Sequence, residues 1–393
     1  MKFHRSVSDP AGFDPGLPAA VDSLGECVVQ LDYRWPGCWP VDGAVKRYGR
    51  DDYARGLITA TRALIKPFFL GTGLRVISDG GGWGGVACVE AVAATLREGG
   101  CGDVLVSWVA GGDLLAAAEE AIGSEADSGV LPGLPDSAVV SARAQLGAGP
   151  IAKALSEGAQ VVITSRHDAA APLQAAAAVY HGWGWEEVEA LVGASLAARF
   201  VGTHCAGEVI ADGSLLLPLS AEDLRLRLPH GVVPGADFDA DFIGLDLQPA
   251  PGGACRISGA KPADVHGRWP AAVERVSGYV ASPVLVQPTD DATENLAEDL
   301  KQVLAGQTDA TVEVRLIAGK ENTAVVFCRS NEAEHCRAFA AAVASLGAQA
   351  GASGYDVVGP WPSVFRESSV EWASVPRDSV SVSIDTRPAS EWY

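Results

Sequence analysis

At 393 residues, with 48% hydrophobic and 20% charged side chains, the chain can fill two domains and is too apolar to stay disordered. A net charge of −20 and the lack of any basic block argue against nucleic-acid phosphates and anionic membrane surfaces as partners. No apolar run approaches the roughly 18 residues that a membrane span needs, so no membrane partner is expected.

The opening MKFHRSVSDPAGFDPG lacks the apolar core of a secretory leader and reads as a polar start. The 8 cysteines are scattered, without a C-x-x-C pair or finger spacing. Buried thiols in a reducing cytoplasm are therefore expected, not a disulfide frame or structural zinc.

Residues 1–60 read as irregular apart from a strand at Cys27–Tyr33 (CVVQLDY) and a turn-rich loop after it. Asp51 to Lys66 has acidic residues first, basic ones last and helical apolar spacing, which predicts a helix. LRVISDGGGWGG (74–85) predicts a strand running into a glycine loop, followed by a helix over Val86–Glu98. Ser78, Asp79, Gly80, Gly81 and Gly82 could cradle a carboxylate or phosphate there, since glycine permits close backbone approach and a helix start offers free N–H groups. The bland alternative is a tight turn capped by Asp79. VLVSWVAGGDLL (104–115) repeats the strand, glycine turn and helix, with Asp113 as cap or ligand.

A Ser/Pro/Gly loop at 124–138 leads into VVSARAQLGAGPIAKALSEGAQVVITSRHDAA (139–170). Pro150 to Glu157 is helical in spacing with Gly158 as C-cap, and Ala159–Ile163 is a buried strand. Thr164, Ser165, Arg166, His167 and Asp168 follow as an unbroken polar turn before an alanine-rich helix. Parallel α/β sheets place their chemistry at such strand ends. Ser141 and Arg143 fall at another expected strand end, where Arg143 would add positive charge.

Beyond Glu208, short strands separated by Pro/Gly turns take over. Helices are predicted at Ala292–Ala305 and Glu332–Leu346, with strands at Ala310–Ile317, Thr323–Arg329, Tyr355–Val358 and Val380–Asp385. The fold class that emerges is α/β: a mostly parallel, Rossmann-like sheet domain over 1–211, then an α+β domain over 212–393. Its portion at about 277–385 has the ferredoxin-like β-α-β-β-α-β order.

In chain order, VISDGGG (76–82), AGGDLL (110–115), the 139–170 block and HGWGWEEVEAL (181–191) resemble the acyclic terpene utilisation AtuA family. RISGAKP (256–262) and VFRESSVEWASVPRDSVSVSI (364–384) extend the likeness, and the resemblance implies a divergent member without the small C-terminal extension of longer ones. The sequence departs from the family pattern at Arg143, Gln145, Ser165 and His167. The resemblance implies handling of a branched acyl-CoA or a small hydroxy or carboxylic acid.

Chemically, Arg166 can clamp a carboxylate or thioester oxygen, His167 is an acid/base near neutral pH, and Asp168 could orient the imidazole or a metal-bound water. The bland alternative has Asp168 capping the next helix and pairing with Arg166. His204, Cys205 and Glu208 invite a metal or thiolate reading, though a buried structural cysteine is the simpler one. Convergence of His167, His204 and Asp168 would make a divalent metal credible; otherwise no cofactor is implied.

A lyase or hydratase working by proton transfer is the expected function, with a small acid or acyl thioester as partner. The alternatives are a non-catalytic ligand-binding or scaffold subunit with an eroded site, or a natural-product tailoring enzyme. The alanine-rich helices make a homodimer plausible.

Overall fold

The computed structural model describes residues 1–8, 12–33, 53–82, 85–114, 139–199, 204–225, 227–229, 231–265, 267–288, 296–305, 311–316, 323–348, 355–357 and 364–393. The chain opens with β1 (Lys2–Ser8), α1 (Leu17–Leu24) and β2 (Val28–Tyr33). After α2 (Arg55–Ala63) and the short α3 (Ile65–Phe69) come β3 (Arg75–Ser78), α4 (Gly85–Glu98) and β4 (Leu105–Gly111). Then follow β5 (Val139–Ala144), α5 (Ala148–Ser156), β6 (Val161–Thr164), α6 (Ala171–His181) and α7 (Val188–Leu196).

The local reasons are visible in the sequence. Gly158, just past α5, has φ 94°, and Gly182 caps α6 at φ 72°, positions where a β-carbon would be strained. The helix expected over Asp51–Lys66 is broken at Leu64 into α2 and α3, and its first two residues lie outside the described ones.

A ten-stranded sheet holds the core. Strands β1, β2, β3, β6 and β4 lie side by side and parallel. One face packs on α1, α2 and α4 through residues such as Leu17, Leu57, Val89 and Val92. The other packs on α5, α6 and α7 through Ile151, Leu173 and Val192. With both faces covered, the central strands are almost continuously apolar.

The same sheet draws strands from both sides of residue 212. Beyond β1 lie antiparallel β7 (His204–Val209), β8 (Leu215–Leu217), β11 (Asp246–Pro249) and β12 (Cys255–Ser258). Between these in sequence, α8 (Ala221–Arg225), β9 (Val232–Val233) and β10 (Phe238–Asp241) fold over, and β9, β10 and β13 (Lys261–Val265) make a small separate sheet.

The other large sheet is built on β14 (Arg268–Pro288). Its second half leads through α9 (Leu296–Ala305), β15 (Thr311–Leu316), β16 (Ala324–Ser330), α10 (Ala333–Ala348) and β17 (Tyr355–Val357), with spatial order β15-β16-β14-β17 and antiparallel pairing throughout. Its first half is flanked by β18 (Val364–Pro376) and by β5. The last strand, β19 (Val382–Pro388), returns to the large sheet as an antiparallel neighbour of β4.

Three expectations are corrected here. Among the described part of residues 1–60, Lys2–Ser8 is not irregular but a strand whose Arg5 and His4 are buried against Asp32 and Asp14, and those partners hide the charge that broke the apolar pattern. Val139–Ala144 is not a member of the parallel sheet, because a β-branched run specifies a strand but not its partner, and β14 supplies the ladder. The final strand leaves the second sheet for the first. No described helix is long and apolar enough to cross a membrane.

Candidate functional site

A parallel sheet opens a crevice where neighbouring strands send their outgoing connections to opposite faces. Here β3 leaves into α4 on one face, and its neighbour β6 leaves into α6 on the other. The mouth between them is formed by Asp79–Gly82 and Ser165–Asp168. Gly81 is obligatory at this seam: a β-carbon there would lie 2.7 Å from the Thr164 carbonyl oxygen and 2.7 Å from Trp108 Cζ3. Gly80 would meet Leu57 at 2.8 Å, and Gly82 has φ 50°.

Several expected ligands turn out to be the frame of this mouth. Ser78 donates to the Leu31 carbonyl at 2.8 Å and accepts from the Gly80 N–H at 3.0 Å. Thr164 donates to the Ser78 carbonyl at 3.4 Å, and Ser165 to the Gly111 carbonyl at 3.2 Å. These hydroxyls stitch strand ends together.

The titratable groups sit inside that frame. His167 is buried, and its Nδ1 lies 2.9 Å from the Asp168 carbonyl oxygen. A carbonyl only accepts, which assigns the proton to Nδ1 and leaves Nε2 with a lone pair. Nε2 is buried and has no hydrogen-bond partner. Burial lowers the imidazole pKa, against the opposing pull of Asp32 and of the Asp168 carbonyl. His167 is thus held as a neutral base.

Asp79 is its counterpart. Burial and the negative charge of Asp32 raise its pKa well above the ordinary carboxylate value, although it accepts the Tyr33 N–H at 2.8 Å and faces Arg166. Burial and Asp32 both favour its protonated form. The Tyr33 phenol is also pushed well up, by burial and then by Asp79.

Behind His167 stands a network that the sequence reading did not single out. Asp32 accepts from Arg5 Nε at 2.9 Å and from Gln30 Nε2 at 2.8 Å, and Gln30 also donates to the Ala169 carbonyl at 2.8 Å. The signal was present: a Gln and an Asp inside the fully buried strand VVQLDY contradict the apolar run that a central parallel strand requires. Asp168 is used differently from either sequence expectation. Its Oδ1 accepts the Ala170 N–H at 2.8 Å, and it pairs with Arg199 at 3.1 Å, not with Arg166. Nothing in the local pattern announced Arg199.

The rim is supplied by the second sheet. Arg166 lies over the Trp372 ring at 5.5 Å, and the Gln145 amide, turned so that its oxygen faces the guanidinium, accepts from Nη2 at 3.2 Å and Nε at 3.3 Å. Asp113, exposed, bridges to Arg143 through the backbone. The Arg143 guanidinium is held down to about 10 by burial and by Arg166, with Asp113 opposing. Ser141 stands in register with Glu274 of β14, and its side chain lies outside the described residues.

The remaining candidates diverge. Strand β7 pairs antiparallel with β1, so His204 lies opposite Ser6 near the site end, whereas Glu208 lies opposite Lys2 at the far end. Cys205 is half-buried, with its thiol raised to about 11 by burial. The His204 side chain lies outside the described residues, and among those no three His, Cys, Asp or Glu groups gather as metal ligands. A cavity of about 240 Å³ opens at the opposite end of the sheet beside Cys27, Arg75 and Tyr180.

Fold and site together define an α/β protein whose central strands are parallel and carry buried polar residues at their ends. Residues 41–216, which carry β3, β4, β6 and their site loops, match the model of the acyclic terpene utilisation family protein AtuA. No curated protein and no solved structure matches the chain.

Proposed function

We propose that the crevice carries proton-transfer lyase chemistry, hydration or dehydration next to a carbonyl, on an acyl thioester or a small hydroxy acid. The observation that carries this reading is His167: a buried, neutral imidazole with Nδ1 anchored and Nε2 without a hydrogen-bond partner. In dehydration, Nε2 takes the α-proton while Arg166 holds the carbonyl oxygen, on which negative charge builds. Protonated Asp79 gives its proton to the departing β-hydroxyl, which leaves as water. The α C–H and β C–O bonds break, the C=C bond forms, and no electrons are exchanged with a third party. The second sheet, ordered β15-β16-β14-β17, is read as a ferredoxin-like unit whose extension over β14 and β18 walls the crevice.

A non-catalytic binding role is the rival, favoured by the full engagement of Asp168 in a structural pair. The two separate by α-proton exchange. The protein is incubated with 3-hydroxybutyryl-CoA or 3-hydroxybutyrate in D2O, and α-deuterium is followed by NMR. Exchange that disappears in His167→Gln at unchanged melting temperature supports the lyase reading. Exchange absent from the wild-type protein, or unaltered in both His167→Gln and Arg166→Ala, refutes it.

A further inference from the structure

One row of the second sheet crosses directly to the crevice. On β14, Ala272 is in register with Arg143 of β5 on one side and with Trp372 of β18 on the other. Residues directly opposite in an antiparallel ladder project from the same face. The guanidinium and the indole therefore stand either side of a single methyl group. Trp372 is 57% exposed while Ala272 is 7% exposed.

The same indole supports Arg166, whose guanidinium carbon lies 5.5 Å from the ring centroid. Arg143 and Arg166 are close enough for their charges to oppose one another. Arg143, with Asp113 drawing on it, and Arg166, which lies over the indole, bring two guanidinium groups to one rim, and an anion between them would be attracted by both. An exposed ring face beside an anion site recognises a flat, polarisable group. A conjugated carbonyl supplies both features: a planar C=C–C=O unit and oxygens that carry negative charge, permanently in an acid or transiently as the thioester enolate.

We infer that Arg143, Ala272 and Trp372 form the substrate-selecting wall of the crevice and that the ligand it selects is an α,β-unsaturated acid or thioester. This rests on the proton-transfer reading above, in which such a compound is the dehydration product. An upstream reaction must then leave a hydroxyl β to the carbonyl, or a downstream one must consume the conjugated double bond.

Binding to the full chain tests it, independently of turnover. Calorimetric titration compares crotonyl-CoA with butyryl-CoA and crotonate with butyrate. Stacking on an aromatic face contributes about 0.5–1.5 kcal/mol, so the unsaturated member should bind about two- to tenfold tighter. Trp372→Ala should abolish that preference and Trp372→Phe keep most of it, both at wild-type melting temperature because the ring is exposed. Ala272→Leu fills the gap and should weaken both members of a pair. Preference within the acid pair or within the thioester pair supports the wall and names the headgroup. Equal binding within both pairs, or a preference that survives Trp372→Ala, overturns it. Preference without isotope exchange would overturn only the lyase reading.

Discussion

Removing the Asp168 carboxylate tests whether that residue is structure or chemistry. Its side chain is 8% exposed and that of Arg199 is 18% exposed, and the pair is closed at 3.1 Å. Taking away one partner of a buried pair costs about 3–5 kcal/mol, because the other charge is left in a poor solvent. Arg199 keeps the Pro234 carbonyl at 2.9 Å and some water, which places the ion-pair loss at the low end. The lost turn bond to the Ala170 N–H, at 2.8 Å, adds about 1 kcal/mol. Asp168→Ala should therefore destabilise by about 4 kcal/mol in urea unfolding at pH 7, with the slope unchanged. Asp168→Asn keeps the turn bond and should cost about 2 kcal/mol. Adding Arg199→Met removes the stranded charge, so Asp168→Asn/Arg199→Met should return to within about 1 kcal/mol of the wild type. What His167 takes from Asp168 is its backbone carbonyl, which any residue supplies, so the double variant should keep its isotope exchange. A cost below about 1 kcal/mol for Asp168→Ala would refute the ion-pair account. A folded double variant without exchange would move Asp168 into the chemistry.

The pKa shifts give opposite signatures in stability. Asp79 is raised in the folded state, so its contribution is complete below the ordinary carboxyl value and is lost as pH rises toward the folded value. Asp79→Asn can still accept the Tyr33 N–H, and its melting temperature should exceed that of the wild type at pH 7 but not at about pH 3.5, with dehydration lost while α-proton exchange through His167 remains. Equal melting temperatures at both pH values would show that Asp79 is not held protonated. His167 is lowered, so its contribution is present above about pH 6.5 and is lost as pH falls from there toward the folded value. Acidification over that window should cost the wild type more stability than His167→Gln, and parallel curves would contradict the burial argument. Gly81→Ala must part the mouths of β3 and β6, since a backbone carbonyl 2.7 Å away cannot rotate aside. A loss of about 1–3 kcal/mol is expected, and a neutral outcome would show that the seam yields.

The sequence by itself determined the parallel part of the sheet and most of its helices, because there the signal is local. Buried β-branched runs such as VVIT, glycines at helix ends and helical apolar spacing act over a few residues and depend little on the rest of the chain. It also marked Asp79, Arg166 and His167 as candidates, since polar residues at a strand mouth stand out against apolar runs. What it could not supply was pairing across distance. Arg5 is compatible with a buried strand only once the Asp32 carboxylate reaches it, 27 residues away, and Asp168 meets Arg199 only after α6 and α7 have packed. Tertiary structure alone decided that β5 leaves the parallel sheet for β14, and that β19 crosses back to β4. A strand's sequence offers the same backbone donors and acceptors to any neighbour, so the partner is chosen by whichever pairing buries its side chains. That choice set Arg143 and Trp372 on either side of Ala272, beside the crevice that holds Arg166.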